Sequence, residues 1–317
     1  MNPFASTGPS DVASFGVGYE VAEPNVLSSP LVFSSPHSGR AYPPGFLAAS
    51  QLGLAQLRRS EDAFVDDLFA DCLSVGAPMI KALFPRAYLD LNREPYELDP
   101  RMFEGRLPPH ANTRSIRVAG GLGTIARVVG HGQEIYRGRL PIGEGLARIE
   151  ALYKPYHARL CALVERAELA FGFALLVDCH SMPSAPLLAP LATQGGRPAA
   201  CDAAQSTRKA DFVLGDRHGA SCAPAFVDAA ESELRSLGFT VARNKPYAGG
   251  YITEHYGAPA FNRHALQIEI SRGLYMDERT VTPLARFPEI RSALRRVAET
   301  LAAAAASRAP VCRDAAE

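Results

Sequence analysis

Short apolar runs and longer segments with helical spacing alternate along this chain. Apolar runs bounded by turn residues predict buried strands at 30–35 (PLVFSS), 78–84 (PMIKALF) and 173–178 (FALLVD). Apolar residues three and four positions apart predict an amphipathic helix over 54–76 that ends at Gly76.

The second half of the chain continues this alternation. Long helices are predicted over 142–172 and 286–309. Strands that alternate with helices favour a mostly parallel sheet covered by helices on both faces, which is an α/β fold. The remaining predicted elements are an extended piece at 87–93, strands within 211–219, 240–246 and 264–276, and a helix over 223–238.

Three segments lack a clear period. Residues 1–29 are rich in Pro, Ser and Gly and are expected to lie extended on the surface, while 95–143 and 184–210 are expected to be long loops. No linker separates two cores. The whole chain is therefore predicted to form one domain, with 1–20 and 309–317 extended or frayed.

The composition narrows the class of protein. Lys plus Arg and Asp plus Glu each number 33, so the formal net charge is zero, which favours neither nucleic acid nor an anionic membrane as a partner. The 6 cysteines are scattered without a CxxC pair, as expected for reduced thiols. No apolar stretch reaches the ~18 residues that span a bilayer, and the N-terminus does not resemble a secretory signal. We expect a cytoplasmic protein.

Two histidines follow buried strands and are candidate metal ligands. His37 follows the run at 30–35 and His180 follows the run at 173–178, where open α/β sheets gather ligands. Neutral imidazole is a common zinc ligand, and a catalytic zinc uses three protein ligands and an open position. Glu61 and Asp62 are the candidates for the third ligand. The alternative is that these two acids only favour the start of a helix.

Two further carboxylates fall beside these histidines. Glu269 lies in a core strand and shares one face with Gln267 and Ser271. Such a buried carboxylate is suited to act as a general base, although a salt bridge to Arg272 is the alternative. Asp178 precedes His180 by two residues, where it can orient the imidazole or simply cap the strand.

The segment PRAYLDLNREP (85–95) supplies the cationic chemistry. Arg93 presents a planar fork for a carboxylate, Asn92 adds an amide, and Arg86 can stabilise an oxyanion. The alternative is that these residues form structural pairs with Asp90 or nearby acids. We predict a small-molecule substrate that carries a carboxylate.

The glycine-rich segments do not match nucleotide-binding loops. GGLGTIA (120–126) has neither GxxxxGK[ST] nor GxGxxG spacing, and no GxSxG motif is present. The segment NKPYAGGYITEHYG (244–257) is suited to a flap or to a plain turn. Tyr251 in this segment and Arg272 are predicted to contact the substrate.

Taken in order, several motifs resemble those of the N-formylglutamate amidohydrolases. The resemblance runs from about Ser34 to about Asp277, and the ordered set is specific although each motif alone is weak. The motifs are SSPHSGRAYPPGF, SEDAFVDDLF, PRAYLDLNREPYELDPRMF, DCHSMPS, GDRHG, NKPYAGGYITEHYG and ALQIEISRGLYMDE.

The resemblance implies a fold, a reaction and a set of roles. The fold is a three-layer α/β/α sandwich around a mixed, mostly parallel sheet, as in zinc exopeptidases. The reaction is hydrolysis of N-formyl-L-glutamate to formate and L-glutamate, which closes a bacterial route of histidine degradation. One Zn²⁺ ion, or another divalent metal, is expected. The implied residues are the metal ligands His37, Asp62 (preferred over Glu61) and His180, the catalytic Glu269, and the carboxylate-binding Asn92 and Arg93. Arg86 is added to the catalytic residues on its chemistry alone, as the group that stabilises an oxyanion.

Two rival interpretations remain at this point. One is a zinc amidase for another N-acyl amino acid, such as an acetyl or succinyl derivative. The other is a non-catalytic protein that keeps the fold and binds no metal.

Overall fold

A seven-stranded sheet organises the computed structural model, which describes residues 9–130, 132–184 and 210–308. In chain order its strands are β1 (Tyr19–Ala22), β2 (Leu31–Ser35), β3 (Met79–Ala82), β4 (Ala174–Met182), β5 (Phe212–Gly215), β6 (Val241–Arg243) and β7 (Arg263–Ser271). Their spatial order is β1-β3-β2-β4-β7-β5-β6. The pairs β1/β3 and β7/β5 are antiparallel and the other four pairs are parallel. The prediction of a mixed, mostly parallel sheet is confirmed.

Helices cover the sheet on both faces. The α-helices are α1 (Pro9–Ala13), α2 (Pro44–Ala49), α3 (Leu54–Leu57), α4 (Val65–Leu68), α5 (Ile116–Ala119), α6 (Ile142–Arg148), α7 (Lys154–Phe171), α8 (Pro224–Ser236), α9 (Tyr251–Tyr256) and α10 (Phe287–Ala306). A π-helical turn, Ile149–Tyr153, joins α6 to α7, and 3₁₀ turns lie at Arg58–Ser60, Ala70–Val75, Pro259–Phe261 and Arg272–Leu274. Three two-residue strand pairs join Phe103–Glu104 to Leu140–Pro141, Val128–Val129 to Gln133–Glu134, and Met276–Asp277 to Thr282–Pro283.

Each central strand contributes to two apolar cores because successive side chains point to opposite faces. In β4, Leu176 packs in the core beneath α7, whereas Leu175 and Val177 pack in the core beneath α8 and α10. All nine residues of β4 are buried. A strand buried on both faces reads as a continuous apolar run, which is why the runs at 30–35, 78–84 and 173–178 predicted strands correctly.

The predicted helix over 54–76 is wrong as a single element. The chain forms α3, two 3₁₀ turns and α4 instead, with Glu61 in extended backbone (φ −64°, ψ 146°) and Phe64 in the left-handed region (φ 65°). This break lets the Asp62 N–H donate to the carbonyl oxygen of His37 at 3.0 Å. Because hydrogen bonds to Tyr42 and to the His37 carbonyl hold Glu61 and Asp62 outside helical geometry, Asp62 does not stand at a helix start.

Other predicted elements also need correction. The piece at 87–93 is a series of turns rather than extended, because the N–H groups of Tyr88 and Leu89 donate to the Pro85 carbonyl. The N-terminal segment is not simply extended, since α1 and β1 form within 9–22. The loop predicted at 184–210 lies outside the described residues except at its two ends, and so does the frayed tail at 309–317. Within the described ranges, no helix is long and apolar enough to cross a membrane.

A candidate metal centre beside a buried carboxylate

Three side chains converge at the edge of the sheet where β2 and β4 end. His37 lies in the turn after β2, Asp62 lies between a 3₁₀ turn and α4, and His180 lies within β4 rather than beyond its end. One nitrogen or oxygen atom from each side chain lies within 4.8 Å of the others. All three residues are buried. They form the His–Asp–His cluster of this chain.

The donor atoms of the His–Asp–His cluster suit a divalent metal. Oδ2 of Asp62 lies 3.0 Å from Nδ1 of His180 and 3.4 Å from Nδ1 of His37. Nδ1 of His37 is buried and has no hydrogen-bond partner among the described residues, although buried polar atoms are normally paired. Two imidazole nitrogens and one carboxylate oxygen are ligands that zinc uses in catalytic sites. These residues therefore fit a zinc ion.

The second nitrogen of each histidine is held by a further carboxylate. Nε2 of His37 lies 2.7 Å from Oδ1 of Asp90, and Nε2 of His180 lies 2.9 Å from Oδ2 of Asp178. Carboxylates in this position orient ligating histidines and fix their tautomer. The position of Asp178 agrees with the orienting role considered from the sequence. The sequence predicts Asp90 only as a structural partner of the arginines. Its place in the DLNR motif is the one sequence feature that links it to the site.

The surroundings of the cluster favour positive charge. Burial by itself lowers the pKa of His180, but the carboxylates of Asp178 and Asp62 raise it well above its usual value. Burial raises the pKa of Asp62, yet the hydrogen bond with His180 and the nearby imidazole of His37 hold it well below its usual value. A cation at this position would take over the charge that these acids stabilise.

Asp62 and Glu61 face different partners, although both are buried. The Glu61 carboxylate accepts hydrogen bonds from Tyr42 Oη at 2.7 Å and Arg58 Nε at 3.1 Å. Asp62 instead faces the two histidines. The geometry therefore favours Asp62 as the third ligand.

The other oxygen of Asp62 is fixed by Arg272. Nη2 of Arg272 donates to Oδ1 of Asp62 at 2.9 Å, and the hydroxyl of Ser181 donates to the same oxygen at 3.2 Å. Arg272 also donates to Ser181 Oγ and to the carbonyl of Arg59, each at 3.0 Å. The ion pair of Arg272 is therefore with Asp62 and not with Glu269.

Glu269 stands next to the cluster on the neighbouring strand. It lies on β7 directly opposite His180 on β4, and its Oε1 accepts a hydrogen bond from Gln267 Nε2 at 2.9 Å. Burial raises the pKa of Glu269 to about 7; the charge of Asp62 adds to this effect, and that of His180 opposes it. A carboxylate with a pKa near neutrality is suited to accept and return a proton.

A cavity of about 410 Å³ opens over these residues. Five residues for which the sequence predicts catalytic or substrate-binding roles line it: Glu269, Arg86, Asn92, Arg93 and Arg272. Tyr251 does not, because it begins α9 and packs beside His157 and His255. Lining residues that the sequence analysis missed are Arg59, Arg117 and Tyr247. The sequence indicates these residues only by their position in or near the predicted motifs.

Asn92 is held at both ends of its amide. Its Oδ1 accepts from the N–H of Ile252 at 2.8 Å, and its Nδ2 lies 3.2 Å from Asp178 Oδ2 and 3.0 Å from His180 Nε2. This arrangement braces the histidine and its orienting acid. Asn92 is thus placed to position the cluster in addition to facing the cavity.

The two arginines of the same segment share Asp90. Nη2 of Arg86 donates to Oδ2 of Asp90 at 2.8 Å, and Nη2 of Arg93 lies 3.7 Å from the same oxygen. Arg93 also donates to the carbonyls of Leu122 and Asn92. Burial opposes the charge on Asp90, but Arg86 and Arg93 hold its pKa well below its usual value.

The cavity at this sheet edge joins a His–Asp–His cluster to a glutamate whose pKa is raised to about 7. This arrangement is typical of a hydrolytic enzyme of the α/β class. The comparisons with known proteins specify that class further. The family model described as N-formylglutamate amidohydrolase matches residues 29–276. The chain belongs to this family of amidohydrolases, which act on linear amides.

Individual relatives agree with this assignment. The chain is 30% identical over 255 residues to the N-formylglutamate deformylase of Pseudomonas putida, covering 78% of this chain and 82% of that one. It is 29% identical over 278 residues to the enzyme of the same name from Pseudomonas aeruginosa, covering 86% and 91%. The crystal structure of N-formylglutamate amidohydrolase from Ralstonia eutropha JMP134 superposes with a TM-score of 0.80 at 38% identity, covering 91% of this chain and 97% of that one.

Proposed function

We propose that this chain hydrolyses the formyl amide of N-formyl-L-glutamate, giving formate and L-glutamate, with one zinc ion held by His37, Asp62 and His180. The observation that carries this proposal is the register of β4 and β7, which sets Glu269 directly opposite His180. A carboxylate beside the donor set for a metal supports a role for Glu269 as proton acceptor. The names of the relatives support the choice of substrate.

A zinc ion would activate water and substrate, and nearby side chains would hold its ligands in place. A bound zinc ion would acidify a water molecule and polarise the formyl carbonyl. Asp90 and Asp178 keep the two imidazoles oriented for binding. Arg272 holds one oxygen of Asp62 so that the other stays turned towards His37 and His180.

Glu269 carries the proton through the reaction. It accepts a proton from the attacking water as the oxygen bonds to the formyl carbon. It then delivers that proton to the amide nitrogen, so that the C–N bond breaks and the amine leaves. The guanidinium of Arg86 stabilises the oxyanion that forms on the former carbonyl oxygen. Burial keeps Glu269 near the pKa that both transfers need.

Arg93 binds a substrate carboxylate from the wall of the cavity. Its guanidinium is held by the carbonyls of Leu122 and Asn92 at 2.9 and 2.7 Å, so its orientation is set before substrate arrives. The side chain of Asn92 donates to Oδ2 of Asp178, the acid that holds His180, at 3.2 Å. This preorganisation reduces the entropy that substrate binding costs.

Formate release by the purified protein tests the proposal. N-formyl-L-glutamate should be hydrolysed with a higher kcat/KM than N-acetyl- or N-succinyl-L-glutamate, and a chelator should abolish activity that zinc restores. A preference for the acetyl or succinyl compound would make the chain an amidase for another N-acyl amino acid. Protein that takes up far less than one zinc ion per chain after reconstitution would contradict the metal site.

A further inference from the structure

The cavity carries more cationic than acidic side chains. Among the described residues, its lining includes five arginines and two carboxylates, those of Asp90 and Glu269. The arginines are Arg59, Arg86, Arg93, Arg117 and Arg272. Guanidinium groups that face a cavity favour an anionic substrate.

Four of these arginines have an acid nearby, and one does not. Arg86 and Arg93 lie near Asp90, at 2.8 and 3.7 Å, and Arg272 lies 2.9 Å from Asp62. The other cavity arginine with an acid is Arg117, 3.9 Å from Glu97. Among the described residues, no carboxylate lies within 4 Å of the guanidinium of Arg59.

Arg59 and Arg93 are linked to different members of the His–Asp–His cluster. Arg93 stands near Asp90, which holds His37. Arg59 lies in the 3₁₀ turn three residues before Asp62, and its carbonyl accepts from Arg272, which pairs with Asp62. The backbone of Arg59 is thus linked to Asp62 through Arg272, while the side chain of Arg59 is exposed.

The two arginines also differ in burial in a way that matches the two carboxylates of an N-acyl glutamate. The side chain of Arg93 is only 13% exposed, which suits the α-carboxylate beside the scissile amide. Arg59 is exposed at the mouth of the cavity, which suits a carboxylate farther from that bond. A long, flexible arginine can reach such a group with a bidentate contact.

We propose that Arg59 binds the side-chain carboxylate of the substrate and so makes the enzyme selective for dicarboxylic N-acyl amino acids. This inference rests on the proposed function. Arg93 then holds the α-carboxylate, which every N-acyl amino acid carries. Arg59 therefore determines specificity for the side chain, whereas Arg93 binds the group that all N-acyl amino acids share.

The test compares N-formyl-L-glutamate with N-formyl-L-glutamine, which has the same shape without the side-chain charge. Arg59→Gln should lower kcat/KM for the glutamate compound about 10- to 100-fold, as expected for a lost hydrogen bond to a charged group, and leave the glutamine compound within about 2-fold. Arg93→Gln should lower both. Arg106→Gln is the matched control, since Arg106 is an exposed arginine outside the cavity lining and should change neither.

The outcomes separate this inference from the function on which it rests. If wild-type protein hydrolyses neither compound, the proposed function fails. If wild-type protein hydrolyses N-formyl-L-glutamate but Arg59→Gln lowers both substrates equally, or neither, the role of Arg59 is wrong while the function stands. Partial recovery of the glutamate preference in Arg59→Lys would support a charge contact over a structural effect.

Discussion

Oδ1 of Asp90 lies 2.7 Å from Nε2 of His37, although the two residues are 53 positions apart. The same carboxyl group meets Arg86 at 2.8 Å through its other oxygen. One buried acid therefore joins a proposed metal ligand to a proposed catalytic arginine. Asp178 supports His180 in the same way from within β4.

Removing the charge of Asp90 should weaken metal binding. We expect Asp90→Asn to reduce zinc affinity about 10- to 100-fold, as for other carboxylates that orient ligating histidines. Competition with a chromogenic chelator measures this change. Asp178→Asn should act similarly through His180. Asp67→Asn, at an acid away from the cluster whose side chain is 46% exposed and pairs with Arg40, is the control. Unchanged affinity in folded Asp90→Asn and Asp178→Asn would rule out the orienting role.

The neighbouring acids Glu61 and Asp62 form a matched pair for identifying the third ligand. Asp62→Asn should weaken zinc binding by more than the ~100-fold upper range for an orienting residue, because a ligand itself is lost. Glu61→Gln should keep one zinc per chain and lose only stability, since Glu61 faces Tyr42 and Arg58. Metal analysis after dialysis compares the two variants. The opposite result would move the ligand to Glu61.

Glu269 offers a test of proton transfer that leaves the metal in place. Glu269→Gln should lower kcat about 10²- to 10⁴-fold with zinc content unchanged, because the amide cannot accept the proton of water. Glu254→Gln, at an exposed glutamate that pairs with Arg217, is the control. Near-full activity of metal-loaded Glu269→Gln would show that another group carries the proton.

His264 should make the protein less stable in acid. Burial lowers its pKa to about 4, the charge of Arg308 adds to this effect, and neither ring nitrogen has a hydrogen-bond partner among the described residues. The unfolded chain, with an ordinary histidine pKa near 6.5, binds a proton that the folded protein excludes, so stability is lost as pH falls from about 6.5 to about 4. The predicted loss from this residue between pH 7.5 and 4.5 is about 2–3 kcal/mol.

Urea unfolding of wild type and His264→Leu at both pH values measures this contribution. The variant should lose less stability in acid than wild type, by the same 2–3 kcal/mol. The pH 7.5 comparison is the internal control, because His264 is neutral there in both the folded and unfolded chains. Equal acid losses in the two proteins would contradict the prediction.

Local patterns were sufficient for the central architecture. The strands at 30–35, 78–84 and 173–178 were predictable because strands buried on both faces must be apolar throughout. Glu269 stood out because a carboxylate interrupts such a strand. The helix predicted over 54–76 is wrong because the apolar spacing there is helical, while hydrogen bonds from Tyr42 to Glu61 and from Asp62 to His37 stabilise an extended break at Glu61.

The α/β alternation, the family resemblance and the candidates His37, His180 and Glu269 follow from residue type and local context alone. That Asp62 faces the histidines, that Asp90 holds His37, and that Tyr247 rather than Tyr251 lines the cavity follows from the packing of distant segments. These outcomes depend on strand register, on where the backbone turns and on which side of α9 a side chain points. Such relations join residues far apart in the chain, and no local periodicity specifies them.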